Sequence, residues 1–271
     1  MKRILILGAS GFIGNALYKE LCSYFDTHGT YLTDRKIFSD NHQFHHFDME
    51  TENIQILLQN VKPDVIVSAV RGNFDAQVAT HFQIIDYILR TNTKLIFISS
   101  ANVFDAFTNY PSYEYDKTLS QSIYGRFKIK IENALLRLPN HQYNILRLPM
   151  VFGKNSPRVK ELKTVIDLGE ALEVFPNVVI NATEIQKVTQ QIHYIINRSR
   201  EGVFHLGSTD LTHQKDFIEE LCEGLGYEHV VFKNVYDSNF DRFLAVLPKD
   251  NKLPKNLQIT IHDVIEASTK L

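Results

Sequence analysis

Residues 4–14, Ile-Leu-Ile-Leu-Gly-Ala-Ser-Gly-Phe-Ile-Gly, admit few folds. The unbroken apolar run over residues 4–7 suits a strand covered on both faces, as in a parallel sheet. Gly8, Gly11 and Gly14 come directly after it, and Phe12, Leu17 and Leu21 begin a helical apolar period. Strand, glycine turn and helix in that order form the context of a phosphate-binding fingerprint. Glycines let the backbone turn tightly and approach a pyrophosphate, and the helix N-terminus offers free N–H groups to its charge. A merely structural glycine turn is the alternative. The position directly after a buried strand favours the nucleotide and makes Gly8, Ser10, Gly11, Phe12, Ile13 and Gly14 a candidate cofactor-binding set. The spacing is Gly-x-x-Gly-x-x-Gly, not Gly-x-Gly-x-x-Gly.

Strand and helix signals alternate through the first 150 residues, which is the pattern of an α/β protein with a doubly wound parallel sheet. Further strands are expected at 29–33, 43–47, 65–67, 94–98 and 143–146, and helices over 54–58, 77–89 and 119–138. The pattern loosens after Gly153: helices are expected over 159–168, 184–197 and 211–225, short strands at 178–180 and 203–206, and mixed signals beyond Tyr227. At 271 residues, 44% of them hydrophobic, the chain suits one large domain or a domain and a half. Residues 1–150 read as a dinucleotide-binding domain. Residues 151–271 read as a smaller substrate-binding part over the C-terminal strand ends, with some elements (about 178–207) returning to the main sheet.

A net charge of −2 leaves no global basic field, so nucleic acid is not the expected partner. Cys22 and Cys222 fall inside apolar helical patterns, which predicts buried free thiols and a cytoplasmic location. Met1 leads directly into the first strand, so no signal peptide is expected. No apolar run approaches the ~20 residues that span a bilayer, so no membrane partner is expected either.

The chemistry centres on Tyr124 and Lys128, one helical turn apart on a shared face. A lysine ammonium beside a phenol stabilises the phenolate and moves it towards the range of a general acid or base. Ser100, ending the fifth strand, is placed to hydrogen-bond the same reacting oxygen. Together the three suit hydride transfer at a carbinol or ketone. Tyr113 and Lys117 repeat the Tyr-x-x-x-Lys spacing, but they lie in a loop with Pro111 and a cluster of acids. Tyr124, Phe127, Ile131 and Leu135 make an apolar helical stripe, which favours Tyr124 as the active tyrosine; a residue merely packed on the core is the plainer alternative.

Four stretches carry a resemblance: Gly8-Ala-Ser-Gly-Phe-Ile-Gly14, Ile98-Ser-Ser-Ala-Asn-Val-Phe104, Tyr124-Gly-Arg-Phe-Lys128 with Glu132, and Leu146-Arg-Leu-Pro-Met-Val-Phe-Gly153. Over these the chain resembles the extended short-chain dehydrogenases/reductases of the epimerase/dehydratase group, nearest to nucleotide-sugar reductases of the dTDP-4-dehydrorhamnose reductase type. The 24 residues from Ser100 to Tyr124 match the interval of that family, and Val203-Phe-His-Leu-Gly207 is similar to a later family strand. The resemblance implies a Rossmann-type fold, a nicotinamide cofactor, a nucleotide-linked sugar as the small-molecule substrate, and catalytic roles for Ser100, Tyr124 and Lys128. It extends the cofactor set to Asp48 at the adenine, Met49, Ala69, Val70, Arg71 and Ser99, with Tyr124 and Lys128 shared. A homodimer through the Tyr124 helix would fit the family. A non-catalytic NAD(P)-binding regulator or partner subunit is the rival reading, although such relatives usually lack the Tyr or the Lys.

The chain departs from the family pattern at Ala101 and Asn102, where Asp and Tyr are usual, and at Met150, where an aromatic is usual. Ser68-Ala-Val-Arg71 replaces the usual Asn-Ala-Ala, and Arg71 there either binds an anionic substrate group or simply faces solvent. At the end of the second strand an acid serves NAD and an arginine serves NADP. Thr30-Tyr-Leu-Thr-Asp34-Arg35-Lys36 holds both, and the paired basic residues Arg35 and Lys36 favour NADP(H) over NAD(H). His42, His45, His46 and Asp48 crowd together, but strand alternation sends His45 and His46 to opposite faces, so no metal is expected.

Overall fold

The structure is a computed structural model that describes residues 1–33, 35–236 and 238–270. Its first half alternates Arg3–Leu7 (β1), Phe12–Leu21 (α1), Asp26–Tyr31 (β2), Lys36–Ser39 (α2), Phe44–His46 (β3), Ile54–Val61 (α3), Val65–Ser68 (β4), Phe74–Ile88 (α4), Lys94–Ser100 (β5), Ile123–Leu135 (α5) and Tyr143–Leu148 (β6). The second half runs Met150–Phe152 (β7), Pro157–Asp167 (α6), Leu172–Val174 (β8), Val178–Ile180 (β9), Ala182–Glu184 (β10), Ile185–Asn197 (α7), Gly202–His205 (β11), Thr212–His213 (β12), Gln214–Gly224 (α8), Phe232–Asn234 (β13), Arg242–Leu244 (β14) and Ile261–Thr269 (α9). Seven strands pair in the order β11-β6-β5-β4-β1-β2-β3, all parallel. The run 3-2-1-4-5-6 within it is the Rossmann order.

Strand β1 shows why the sheet is buried on both sides. Ile4 and Ile6 join one core with Leu17 and Leu21 of α1 and Val188 and Ile192 of α7. Leu5 and Leu7 join the other with Leu58 of α3, Ile84 of α4 and Ile131 of α5. A third core, built on Phe152, Phe217, Leu221 and Val264, holds the second half together. There β9 lies between β12 and β14, while β8 pairs with β13 and β7 with β10. Of the elements between 178 and 207, β11 joins the main sheet beside β6, whereas β9 does not.

Several elements differ from the sequence reading. Strand β2 starts at Asp26, three residues before the expected strand, because its polar opening keeps to the ladder with β1, Arg3 opposite Asp26 and Leu5 opposite His28. The helix expected from 119 begins only at Ile123: Ser122 caps it by accepting from the Gly125 N–H, and Asp105 accepts from the Gln121 N–H and holds the approach non-helical. Beyond Tyr227, pairing with partners distant in sequence makes β13 and β14, and a Thr260–Asp263 capping box starts α9. Cys222 is buried, but Cys22 is exposed at the C-terminal cap of α1, where the helix turns out of the core. No helix among the described residues is long and apolar enough to cross a membrane.

Candidate active site

The C-terminal ends of β1, β4 and β5 open into a cleft of about 780 Å³, closed on its far side by α6 and the residues after β6. That is where open parallel sheets bind ligands, and the volume suits one. The glycine turn forms one end. Gly8 has φ +78, and a Cβ there would meet the Ala69 carbonyl oxygen at 2.9 Å. Its N–H donates to Thr30 Oγ1 (2.8 Å), and Ser10 N–H donates to the Thr30 carbonyl (3.3 Å), which ties the turn to β2. Gly11 caps α1 without a side-chain acceptor. The first-turn N–H groups are therefore left for an anion, and the bare glycine backbone leaves room for one to approach. The residues present thus fit a dinucleotide.

Gly14 has a different task. It does not line the cleft; a Cβ there would meet the Gly8 carbonyl oxygen at 2.2 Å and Ala9 Cα at 2.8 Å. It lets α1 lie against the turn. Gly14→Ala is expected to destabilise the fold by about 1–3 kcal/mol, because backbone must move rather than a side chain. The corresponding fall in Tm of roughly 2–4 °C per kcal/mol is measurable in a thermal melt; an unchanged Tm would refute the packing role.

Asp48 and Met49 line the next stretch of cleft. The Asp48 carboxylate also holds its own turn, accepting from Glu50 N–H (2.9 Å) and Thr51 Oγ1 (3.0 Å). Ala69, Val70 and Arg71 come next, at the end of β4. Beneath them the fully buried His81 bridges Ser68 Oγ (2.8 Å) and the Gln77 carbonyl (2.6 Å). Burial pushes the imidazole down to about 4. As a neutral ring it donates to Gln77 and accepts from Ser68, a static brace between α4 and β4.

Ser100, Tyr124 and Lys128 converge on the cleft floor together with Ser99. The Ser100 hydroxyl donates to Asn102 Oδ1 (2.9 Å) and shares the cleft with Tyr124. Asn102, one of the departures from the family pattern, thus orients the serine. The Tyr124 ring is held edge-on by Phe74 and Phe127. Lys128 is buried; its Nζ donates to the Ile98 carbonyl (2.9 Å) and lies 5.9 Å from the Tyr124 ring centroid. Burial pushes its ammonium down to about 8 against the pull of Glu132. The sequence reading lowers the Tyr124 phenol through Lys128. In the structure desolvation wins and raises it, opposed by the Ser100 hydroxyl and the charges of Arg71 and Arg158.

Tyr113 and Lys117 do not line the cleft; the Tyr113 ring lies under Lys249. Arg35 caps α2 and is not among the cleft-lining residues, and Asp34 lies outside the described residues. His45 meets His28 (3.0 Å) and His46 meets Glu52 (3.4 Å). Among the described residues no three His, Cys, Asp or Glu side chains are placed to hold a metal ion. Sequence reasoning missed Arg158 and Glu161, which α6 brings to the opposite wall. The available signal was Ser156-Pro157, an N-cap and first-position proline that start a helix just after Gly153.

A family model described as RmlD substrate binding domain matches residues 1–254. Among curated proteins, methionine adenosyltransferase 2 subunit beta of Mus musculus is 31% identical over 162 residues, 56% of this chain and 48% of that protein. The chain thus spans about half the length of the curated relatives it matches. Among solved structures, dTDP-4-dehydrorhamnose reductase of Bacillus anthracis in complex with NADP aligns with TM-score 0.77 and 21% identity, covering 99% of this chain and 98% of the other. The dTDP-glucose 4,6-dehydratase of the same organism, in complex with NAD, aligns with TM-score 0.79 and 16% identity over 99% and 96%. At these identities the structural likeness is one of fold.

Proposed function

The chain belongs to the RmlD substrate-binding domain family, and on that footing we propose that it is an NAD(P)-dependent oxidoreductase or epimerase that reduces a keto group of a nucleotide-linked sugar. The observation that carries this reading is the convergence of Ser100, Tyr124 and Lys128 in the cleft that begins at the glycine turn. A nicotinamide dinucleotide bound by that turn supplies the hydride. Tyr124 gives its phenolic proton to the carbonyl oxygen, and Ser100, in the same cleft, holds that oxygen. Lys128 keeps a positive charge behind the phenol, where it offsets the negative charge left on Tyr124. The test is nicotinamide absorbance over time with a panel of nucleotide-linked 4-keto sugars. Turnover that persists undiminished in Tyr124→Phe would sink the reading.

For the cofactor we favour NADP(H) over NAD(H), because Arg35 and Lys36 stand just beyond β2 and suit the extra phosphate. Arg35→Ala is expected to weaken NADPH binding about tenfold, the loss of one charge-assisted contact, and to leave NADH binding unchanged. A fluorescence titration of each reduced cofactor reads this, and equal losses for both would count against Arg35.

A second reading has its own observation: the curated relatives are named as subunits of methionine adenosyltransferase 2. In that reading the chain binds NAD(P) as a non-catalytic partner subunit. Tight cofactor binding without turnover of any carbonyl would favour it. Homodimerisation through α5 belongs to the first reading, and sedimentation tests it.

A further inference from the structure

The substrate end of the cleft carries unpaired positive charge. Arg71 enters it from the loop after β4, and Arg158 enters from the first turn of α6, with Glu161 one turn further along the same helix. Both guanidinium groups act on Tyr124 and on each other, so the two charges share the region around the phenol. Among the described residues neither arginine has a hydrogen-bond or ion-pair partner. Arg147, by contrast, is saturated. Glu161 offsets only one of the two charges. Two like charges facing one partly dehydrated space are unfavourable until an anion joins them.

We propose that Arg71 and Arg158 select a substrate bearing a carboxylate on the same sugar unit as the reacting carbonyl, an acidic sugar rather than a neutral deoxysugar. The inference rests on the oxidoreductase reading above and names its substrate class. The guanidinium fork matches a carboxylate in two parallel hydrogen bonds, and two forks from opposite walls bracket it. The anion belongs on the sugar because Arg71 and Arg158 line the same cleft as the proton-donating Tyr124, whereas a nucleotide diphosphate extends from the sugar away from the reacting carbonyl. Asn102, Leu148, Met150 and Leu244 carry no charge, and the buried Lys128 adds a further cation rather than an acid. Of the residues that depart from the family pattern, Arg71, Ala101, Asn102 and Met150 all line this cleft, and among these Arg71 alone adds charge.

Calorimetric titration of the full chain saturated with NADP+ tests this with three probes: UDP-glucuronate, UDP-glucose and free glucuronate. UDP-glucuronate is expected to bind at least about tenfold tighter than UDP-glucose, the worth of a charge-assisted pair. Arg158→Gln should reduce that preference below about threefold with NADP+ affinity unchanged, and the Arg71→Gln/Arg158→Gln double variant should erase it. Both arginines are exposed at the cleft surface, so the variants retain the core. Free glucuronate binding as tightly as UDP-glucuronate would support the carboxylate site and assign it to an unlinked acidic sugar. Equal affinity for the two nucleotide sugars, or binding of neither, would overturn the proposal, as would an equal loss for both in Arg158→Gln, which would assign the arginines to the diphosphate. Tyr124-dependent oxidation of NADPH by a neutral keto sugar, without carboxylate preference, would overturn this inference and leave the oxidoreductase reading standing. Failure to bind NADP+ would remove both.

Discussion

Tyr124→Phe is expected to lower kcat for carbonyl reduction by about 10³-fold while NADPH affinity stays within roughly twofold, since a positioned general acid contributes 10²–10⁴-fold. Phenylalanine keeps the ring between Phe74 and Phe127, so the wall of the cleft survives and only the phenolic proton is lost. NADPH absorbance gives the rate and NADPH fluorescence the affinity; retention of more than a tenth of the rate would show that another group supplies the proton. The pH profile gives an independent check. Reduction needs the phenol protonated, and desolvation raises its pKa, so Tyr124 stays an acid through neutral pH and above. Lys128 is the group that titrates first, with its ammonium held down at about 8. Its charge is present below that pH and lost above it, so the rate should be flat to about pH 8 and fall beyond. In Lys128→Met the rate should be lower throughout, and the fall near pH 8 should disappear. A fall that remains in this variant would assign the titration elsewhere.

The main sheet was legible because its signals are local. The apolar runs of β1, β4 and β5 can only be buried strands, and the glycine turn after β1 leads straight into the helix that covers it. The position of β2 was less legible, since Asp26, Thr27 and His28 read as a polar connection until β1 pairs with them. The second half was harder for the same reason. Its strands are three residues or fewer, apart from β11, and pair with segments far along the chain, as Phe232–Asn234 does with Leu172–Val174. Within the site, spacing on one helix is enough to pick out Tyr124 and Lys128. No spacing rule brings Arg158 across to face Arg71, because α6 arrives from a different layer. The electrostatics were legible only in part: sequence adjacency suggests a lysine lowering a phenol, but desolvation depends on what covers the ring.

Glu132→Ala is expected to cost about 3–5 kcal/mol of stability, the effect of stripping the partner from a buried charge. One helical turn beyond Lys128, the Glu132 carboxylate is 1% exposed and takes a two-pronged contact from Arg147, with Nη2 at 2.8 Å and Nε at 3.2 Å. Ser99 Oγ donates to the same carboxylate at 2.5 Å. Arg147 spends Nη1 on the Glu114 carbonyl (2.9 Å) and meets His205, whose imidazole is held neutral by burial and by the neighbouring guanidinium. Every polar group here depends on another, so removing one carboxylate leaves a guanidinium without counter-charge and a serine without acceptor. The unfolding midpoint should fall by roughly 10 °C. Replacing both ends, as in Glu132→Leu/Arg147→Met, should restore much of the loss, because a well-packed apolar pair removes the desolvation cost along with the attraction. Thermal melts of Glu132→Leu, Arg147→Met and the double close the cycle; a double variant as unstable as the sum of those singles would mean the two residues act independently. The restored stability should not bring back activity. Glu132 pulls the Lys128 ammonium upward, and its loss lets burial push that group below about 8. The apolar double variant should therefore melt near the parent yet lose rate at a lower pH, which separates the network's structural duty from its electrostatic one.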